Sequence, residues 1–281
     1  MKLSDIHLRD PFILPWNGVY YLYGSRCRPS ATFGFDVYTS TDLETWSQPQ
    51  SIFEASLDFW GTRDFWAPEV HAYHGKFYLL ATFKSDIAHR GTAVLICDTP
   101  DGTFRPHSDG AVTPKDWECL DGTLYVDEKG TPYMVFCHEW TQIRNGAVCA
   151  VELTPDLKAP VGEPMPLWNA GDAPWVRGVR EPDEFVTDGP FLLRRNGELV
   201  SIWSSFDRDG YVEALAKSDD GTITGNWSVA FPPILTGHDG GHGMVFTAFD
   251  GEEKFICHQP NRSPNERPVL YVFRNGQPVR D

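Results

Sequence analysis

Five positions in the chain place an acidic residue or a histidine just before a strand-like segment. These positions, which we call the heads, are Asp10, Glu69, Asp121, Asp188 and His242. Carboxylates brought close together repel one another unless they are protonated, hydrogen-bonded or paired with a cation. Such a set is suited to acid–base chemistry, in which one carboxyl group keeps its proton while another loses it. Asp-Pro and Asp-Gly are also common at the start of turns, so any single head is better explained as a turn residue. The occurrence of the whole set in register is what indicates a function.

The heads recur at intervals of about 52 to 67 residues, and a second turn containing Asp or Asn follows each head after about 32 to 35 residues. Between them lie short apolar or alternating runs such as GVYYLYGS, KFYLLATF and ELVSIWSS. The pattern predicts an all-β chain forming a single five-bladed β-propeller over residues 1–281, with blades starting near residues 10, 69, 121, 188 and 242. A solenoid or two sandwiches are the alternatives. Because the fifth unit is short, N-terminal residues are expected to help close the ring.

In a propeller, the five heads are expected to lie close together in space. The first strand of each propeller blade lines the central channel, so equivalent heads converge there although they are far apart in sequence.

Charge and composition narrow the range of partners. The net charge is −15 and no Lys/Arg-rich run is present, which argues against nucleic acid or an anionic membrane and favours a neutral substrate such as a sugar. The first residues, MKLSDIHLRDPFILPW, lack the apolar segment of a signal peptide, so we expect a cytoplasmic protein. The six cysteines show no C-x-x-C spacing and are predicted to be buried free thiols.

Five motifs carry a family resemblance. In order, the chain contains RDPFI, WAPEVH, LDGTLYVDEKGTPYMVF, TDGPFLL and GGHGMVF. From about Leu8 to Phe273 it resembles glycoside hydrolase family 43. The resemblance implies a five-bladed propeller that cleaves arabinofuranosyl, xylosyl and sometimes galactosyl units of an oligosaccharide, with inversion at the anomeric carbon and with no required cofactor.

The resemblance also implies catalytic roles. Asp10 would be the general base, Asp121 the carboxylate that orients the acid and raises its pKa, and Asp188 the general acid. Most members have Glu where this chain has Asp188, and a side chain shorter by one methylene reaches about 1 Å less far. Glu184 and Glu181 are therefore kept as alternative acids.

His242 matches a histidine that faces a bound cation, commonly calcium, in the family. Histidine nitrogen is a poor ligand for a hard cation, so a structural calcium near His242 would be contacted through water.

Aromatic and basic side chains are candidates for sugar contacts. Trp66, Trp140 and Trp203 offer flat rings that suit the apolar face of a sugar. His138 and Arg262 offer hydrogen bonds to ring hydroxyls.

The favoured hypothesis is an inverting exo-glycoside hydrolase that releases a terminal pentose-type sugar. One alternative is a sugar-binding propeller without activity, suggested by Asp188. Another is a related glycoside phosphorylase, for which the candidate phosphate ligands are Arg177, Arg180, Arg194 and Arg195.

Overall fold

The computed structural model describes residues 1–27 and 33–280. In this part of the chain, twenty strands form five four-stranded antiparallel sheets, each with its strands in sequence order. The chain therefore folds as the five-bladed β-propeller that the repeat predicted. None of the helices in the described residues is long and apolar enough to span a membrane.

The strands of the first three blades are β1 Leu8–Trp16, β2 Val19–Arg26, β3 Gly34–Ser40 and β4 Gln50–Glu54; β5 Arg63–Tyr73, β6 Lys76–Lys84, β7 Gly91–Cys97 and β8 Arg105–Ala111; and β9 Cys119–Val126, β10 Pro132–His138, β11 Ala147–Leu153 and β12 Pro160–Asn169. Those of the last two are β13 Asp188–Arg195, β14 Glu198–Asp207, β15 Gly210–Ser218 and β16 Trp227–Ser228; and β17 Gly241–Thr247, β18 Glu253–Gln259, β19 Arg267–Arg274 and β20 Gln277–Val279. Short helices are α1 Trp140–Ile143 and two 3₁₀ turns, Leu3–Asp5 and Ala170–Asp172.

The innermost strands form a closed ring. β1 contacts β5, β5 contacts β9, β9 contacts β13, β13 contacts β17, and β17 contacts β1. Within residues 1–27 and 33–280, the fifth blade takes all four of its strands from the C-terminal part of the chain, and no N-terminal strand completes it. The N-terminal 3₁₀ turn instead packs on β19.

Apolar side chains fill the spaces between blades. The largest cluster joins the first, second and fifth blades through fully buried residues such as Leu22, Phe35 and Phe83. Other clusters join the remaining neighbouring blades. All six cysteines are buried free thiols, as predicted.

Each innermost strand carries a bulge at a residue with positive φ. Pro or Gly follows the bulged residue in every blade, and the five pairs are Asp10-Pro11, Ala67-Pro68, Asp121-Gly122, Gly189-Pro190 and His242-Gly243. A bulge inserts one residue, bends the strand and redirects the local side chains.

The structure changes the assignment of two predicted heads, those of the second and fourth blades. In the second blade the bulge equivalent to that at Asp10 lies at Ala67, which Pro68 follows, so Glu69 is two residues too late to be equivalent to Asp10. Glu69 instead lies 2.9 Å from the ring nitrogen of His71. In the fourth blade, Asp188 immediately precedes the bulged Gly189. Matching acidic residues by type alone gave the wrong register in the second blade, because the backbone kink, rather than the charge, is the repeated feature.

Side chains from the preceding blade bind the N–H groups at all five of these bulges. Asp121 of the third blade accepts from Gly189 of the fourth at 3.0 Å. Ser25 accepts from Ala67 at 2.7 Å, Thr82 from Asp121 at 2.9 Å and Ser204 from His242 at 2.6 Å. His258 of the last blade accepts from Asp10 of the first at 3.2 Å, which closes the circle. Buried N–H groups that the bulge withdraws from the strand ladder are thereby satisfied.

We predict that Thr82→Val lowers the free energy of unfolding by about 1–3 kcal/mol, because the shape is conserved while the buried Asp121 N–H loses its acceptor. Denaturant unfolding measures the change. Thr39→Val is the matched control, since the Thr39 hydroxyl makes no hydrogen bond within the described residues, and should cost no more than about 0.5 kcal/mol. Equal losses in the two variants would contradict the proposed importance of the bulge hydrogen bond.

Candidate active site

A cavity of about 680 Å³ lies where the bulged ends of the innermost strands meet. Asp10, Asp121, Asp188 and His242 all line it, and the second blade contributes Trp66. The structure thus brings the three predicted catalytic carboxyl groups together with the predicted histidine in one pocket.

Asp10 is buried among hydrogen-bond donors and positive charge. Its Oδ2 accepts from the Ser25 hydroxyl at 2.6 Å, and its Oδ1 lies 3.3 Å from Arg9 Nε and 3.2 Å from His242 Nδ1. Burial alone would raise the pKa of Asp10, but His242 and Arg9 outweigh burial and hold this pKa well below its ordinary range. Asp10 is therefore a carboxylate at neutral pH.

Ser25 is placed to orient that carboxylate. Its oxygen accepts the Ala67 N–H, so its own proton is directed at Asp10. His258 is oriented in a similar way. Because its Nδ1 accepts the Asp10 N–H, its proton lies on Nε2, which is 3.1 Å from Asn261 Oδ1. Burial lowers the pKa of His258 to about 3, so the ring is neutral.

Asp121 and Asp188 have the opposite protonation preference. Burial and the charge of Asp10 raise the pKa of Asp121 well above its ordinary value. Burial and the neighbouring Asp121 raise the pKa of Asp188 to about 7. Asp121 Oδ2 accepts the Gly189 N–H at 3.0 Å, and Asp188 Oδ2 accepts the Tyr211 hydroxyl at 2.9 Å. The two carboxyl groups titrate as a coupled pair that retains a proton near neutrality.

His242 occupies the space between the carboxylates. Its Nδ1 lies 3.2 Å from Asp10 and 3.6 Å from Asp121, and its ring packs so tightly on Gly189 that a Cβ there would lie 2.6 Å from it. Residues 1–27 and 33–280 contain no group of three or more His, Cys, Asp or Glu side chains arranged to hold a metal ion. The calcium expected near His242 is therefore not supported, because this nitrogen is already directed at two carboxylates and is a poor ligand for calcium.

The five predicted sugar-binding residues fall into three groups. Trp66 and Trp140 line the pocket. Trp203 was wrongly assigned, since it is fully buried and packs against Trp168 and Trp175. His138 was also misplaced, because its ring stacks on Trp117 at 4.1 Å and lies 2.8 Å from the Gln142 side chain. Arg262 is exposed between two residues that line the pocket, Asn261 and Ser263.

The alternative acids lie outside the pocket lining. Glu184 is held by Arg144 at 3.4 Å and by Arg180 at 3.2 Å, and Glu181 is exposed on the same loop. Neither side chain therefore lines the pocket that holds the three aspartates.

The four arginines considered for a phosphate site do not converge. Arg180 lines the pocket, but Arg194 and Arg195 pair with Glu128 and Glu253 beside a separate outer groove. Arg177 donates to backbone carbonyls of Pro174 and Val176. A basic phosphate pocket is therefore not formed by these residues, and the phosphorylase alternative loses its structural basis.

Several pocket residues were missed from sequence. Arg9 bridges Asp10, Asn261 and the fully buried Glu266. Glu139 also lines the pocket, between the two residues of CHEW that were selected, His138 and Trp140. A sequence signal existed for Glu139, because side chains alternate at a strand end and His138 and Glu139 must point in different directions.

A five-bladed propeller whose axial pocket holds an ionised carboxylate beside a proton-retaining carboxyl pair is the arrangement of a glycoside hydrolase. The model of the glycosyl hydrolases family 43 matches residues 4–273. The chain belongs to this family, and it is a glycoside hydrolase.

Individual relatives agree with this assignment. The crystal structure of an endo-arabinase from Bacteroides thetaiotaomicron VPI-5482 superposes with a TM-score of 0.91 at 38% identity, covering 99% of this chain and 98% of that one. The β-D-galactofuranosidase xynD of Aspergillus niger is 26% identical in an alignment 272 positions long that covers 89% of this chain and 72% of the relative. Xylosidase/arabinosidase 43A of Humicola insolens is 27% identical in an alignment 154 positions long that covers 49% of this chain and 46% of the relative.

We predict that Trp203→Ala lowers the free energy of unfolding by about 3–5 kcal/mol, because it leaves a large cavity among packed indole rings. Trp66→Ala should cost about 1 kcal/mol or less, since Trp66 is 37% exposed and its ring lies under the Arg90 guanidinium, 4.7 Å from the ring centroid. Denaturant unfolding of both variants tests this contrast. A larger loss for Trp66→Ala than for Trp203→Ala would reverse the assignment of the two rings.

Proposed function

We propose that this hydrolase is an inverting, exo-acting enzyme that releases a terminal pentose-type sugar from oligosaccharides. Asp10 is the general base, Asp188 is the general acid, and Asp121 orients Asp188 and raises its pKa. The observation that carries the proposal is the separation of protonation states: the pKa of Asp10 is lowered, whereas that of Asp188 is raised to about 7 in the same pocket.

Inversion requires one ionised and one protonated carboxyl group. The ionised Asp10 takes a proton from water as the water attacks the anomeric carbon, while the protonated Asp188 gives its proton to the leaving oxygen on the opposite side of the sugar ring. In inverting enzymes the two carboxyl groups are about 6.5–9.5 Å apart, which leaves room for that water. Ser25 supports the base by fixing Asp10 Oδ2, while Arg9 and His242 lie beside Oδ1.

The pocket walls support exo action. On one side the Arg180 guanidinium lies 4.3 Å from the Trp140 ring centroid, and Glu184 binds both Arg180 and Arg144. These contacts connect the segment before β13 to α1 and build a wall beside the carboxylates. A volume of about 680 Å³ suits a few sugar units rather than a long polymer.

The sugar class follows from the relatives. Their names specify galactofuranose, xylose and arabinose, and all three are neutral sugars, which suits an acidic pocket. We therefore propose an α-L-arabinofuranosyl, β-D-xylosyl or β-D-galactofuranosyl substrate.

Endo-acting cleavage is the second candidate, favoured by the similarity to the Bacteroides endo-arabinase. End-labelled linear arabino-oligosaccharides distinguish the two modes. Exo action releases only monosaccharide at early times, whereas endo action releases a mixture of shorter oligosaccharides.

We predict that wild-type protein hydrolyses one nitrophenyl glycoside among the α-L-arabinofuranoside, β-D-xyloside and β-D-galactofuranoside. Asp10→Ala and Asp188→Ala should each lower kcat by about 10²- to 10⁴-fold. For Asp188→Ala the loss should be much smaller with a dinitrophenyl leaving group, which departs without protonation. Nuclear magnetic resonance of the first product formed should show the inverted anomer. An Asp188→Ala variant with full activity on the mononitrophenyl substrate would exclude Asp188 as the acid.

We further predict that kcat falls as the pH rises through about 7, because Asp188 must be protonated to act and its raised pKa lies there. The lowered pKa of Asp10 keeps the base ionised throughout the mildly acidic range, so no loss is expected there. Glu213 is the control, since it is a buried carboxyl group outside the pocket lining, with a pKa raised to about 8. Glu213→Gln should leave the alkaline limb in place, and a shift of that limb would assign it to Glu213.

A further inference from the structure

We propose that Glu139 selects the substrate by accepting a hydrogen bond from one hydroxyl of the bound sugar. This inference rests on the proposed hydrolysis in the same pocket and adds a specificity-determining residue to it. The three aspartates act at the anomeric centre, whereas Glu139 would recognise a hydroxyl elsewhere on the ring.

Glu139 is rigidly held at the pocket wall. It follows β10, is only 4% exposed and lines the pocket that contains the three aspartates. Its N–H donates to the Glu118 carbonyl at 2.8 Å, and its own carbonyl accepts the N–H groups of Gln142 and Ile143. Its backbone is therefore fixed on both sides, which is what precise recognition of one hydroxyl requires.

The two oxygens of the Glu139 carboxylate have different surroundings. Oε2 accepts from Arg90 Nη1 at 2.9 Å and from the Thr141 hydroxyl at 2.7 Å. Oε1 has no hydrogen-bond donor among the described residues, although the side chain is almost fully enclosed. An enclosed carboxylate that lines a pocket and has one oxygen without a protein donor is a site for a donor supplied by the ligand.

Arg90 connects this carboxylate to an aromatic surface. Its guanidinium binds Asp64 at 3.0 Å and lies 4.7 Å from the centroid of the Trp66 ring. Trp66 and Glu139 thus contact the same guanidinium, and both line the pocket. An indole ring for the apolar face of a sugar, next to a carboxylate for one of its hydroxyls, defines a subsite for a neutral monosaccharide unit.

Ion pairing with Arg90 also separates the role of Glu139 from that of Asp188. The Arg90 guanidinium and the Thr141 hydroxyl donate to Glu139 Oε2, whereas Asp188 Oδ2 accepts from the Tyr211 hydroxyl and pairs with no guanidinium among the described residues. A sugar bearing a carboxylate or phosphate at this position would be repelled by the Glu139 carboxylate.

The test compares wild type, Glu139→Gln and Glu118→Gln on the nitrophenyl glycoside that wild type hydrolyses best and on its monodeoxy analogues. Glu139→Gln keeps an oxygen for Arg90 but weakens the acceptor. We expect its KM for the parent glycoside to rise about 10- to 100-fold, the loss typical of a hydrogen bond to a charged group. For the one analogue that lacks the recognised hydroxyl, wild type and Glu139→Gln should have KM values within about threefold.

Glu118→Gln is the matched control. Glu118 belongs to the same charge cluster, binding Lys84, His89 and the Arg90 N–H, but it lies outside the pocket lining. Its replacement should change KM by less than about threefold on every substrate. If Glu139→Gln raises KM by the same factor on all deoxy analogues, the proposal is overturned, because Glu139 then recognises no single hydroxyl. If Glu139→Gln loses activity on the mononitrophenyl glycoside but not with a dinitrophenyl leaving group, the proposal is also overturned, and Glu139 is the general acid.

Titration calorimetry with free L-arabinose, D-xylose and D-galactose separates this inference from the proposed hydrolysis. If wild type binds one sugar without cleaving any glycoside, the proposed hydrolysis of these substrates fails, and Glu139→Gln should still weaken binding about 10- to 100-fold. Equal binding by wild type and Glu139→Gln, or no binding of any sugar by wild type, would overturn the role of Glu139. Circular dichroism and thermal melting confirm that both variants are folded.

Discussion

The structure depends on a backbone kink in each innermost strand and on the hydrogen bond that its freed N–H group finds in the preceding blade. A left-handed residue within a strand is costly unless its surroundings fix it. Ser25, Thr82, Ser204 and His258 provide acceptors at four kinks. At the fifth, the Gly189 N–H is bound by Asp121 itself. Each blade therefore positions the pocket residue of the next, and the assembled ring stabilises a geometry that an isolated sheet would not retain.

The same hydrogen bonds link the fold to its electrostatics. Ser25 accepts from a bulge and donates to Asp10, so one hydroxyl satisfies the backbone and stabilises a buried carboxylate. Asp121 accepts from the bulge that follows Asp188 and at the same time raises the pKa of Asp188. Burying three carboxyl groups together is unfavourable when all are ionised. The pocket accommodates them because Arg9 and His242 stabilise the charge of Asp10, while Asp121 and Asp188 retain a proton between them.

Much of the fold was accessible from sequence because a propeller repeats one local pattern. Asp10, Asp121, Asp188 and His242 were identified together and do share a pocket, but the second head was misassigned because Ala67 carries no chemical signal of its role. Trp203 and Trp66 look alike in sequence, and only inter-blade packing buries one ring and leaves the other in the pocket. Glu139 was overlooked between two selected neighbours, since whether a strand-end side chain reaches a pocket depends on the twist of its blade.

The sequence by itself determined the number of blades, the family and the residue types available for acid–base chemistry, because strand periodicity, turn residues and motif order are local properties. Only the tertiary structure decided which carboxyl group keeps a proton, which rings face the pocket and which arginines are already paired. These properties depend on burial and on charges from distant parts of the chain. Arg9 and Glu266, for example, lie at opposite ends of the sequence and meet only when the last blade closes on the first.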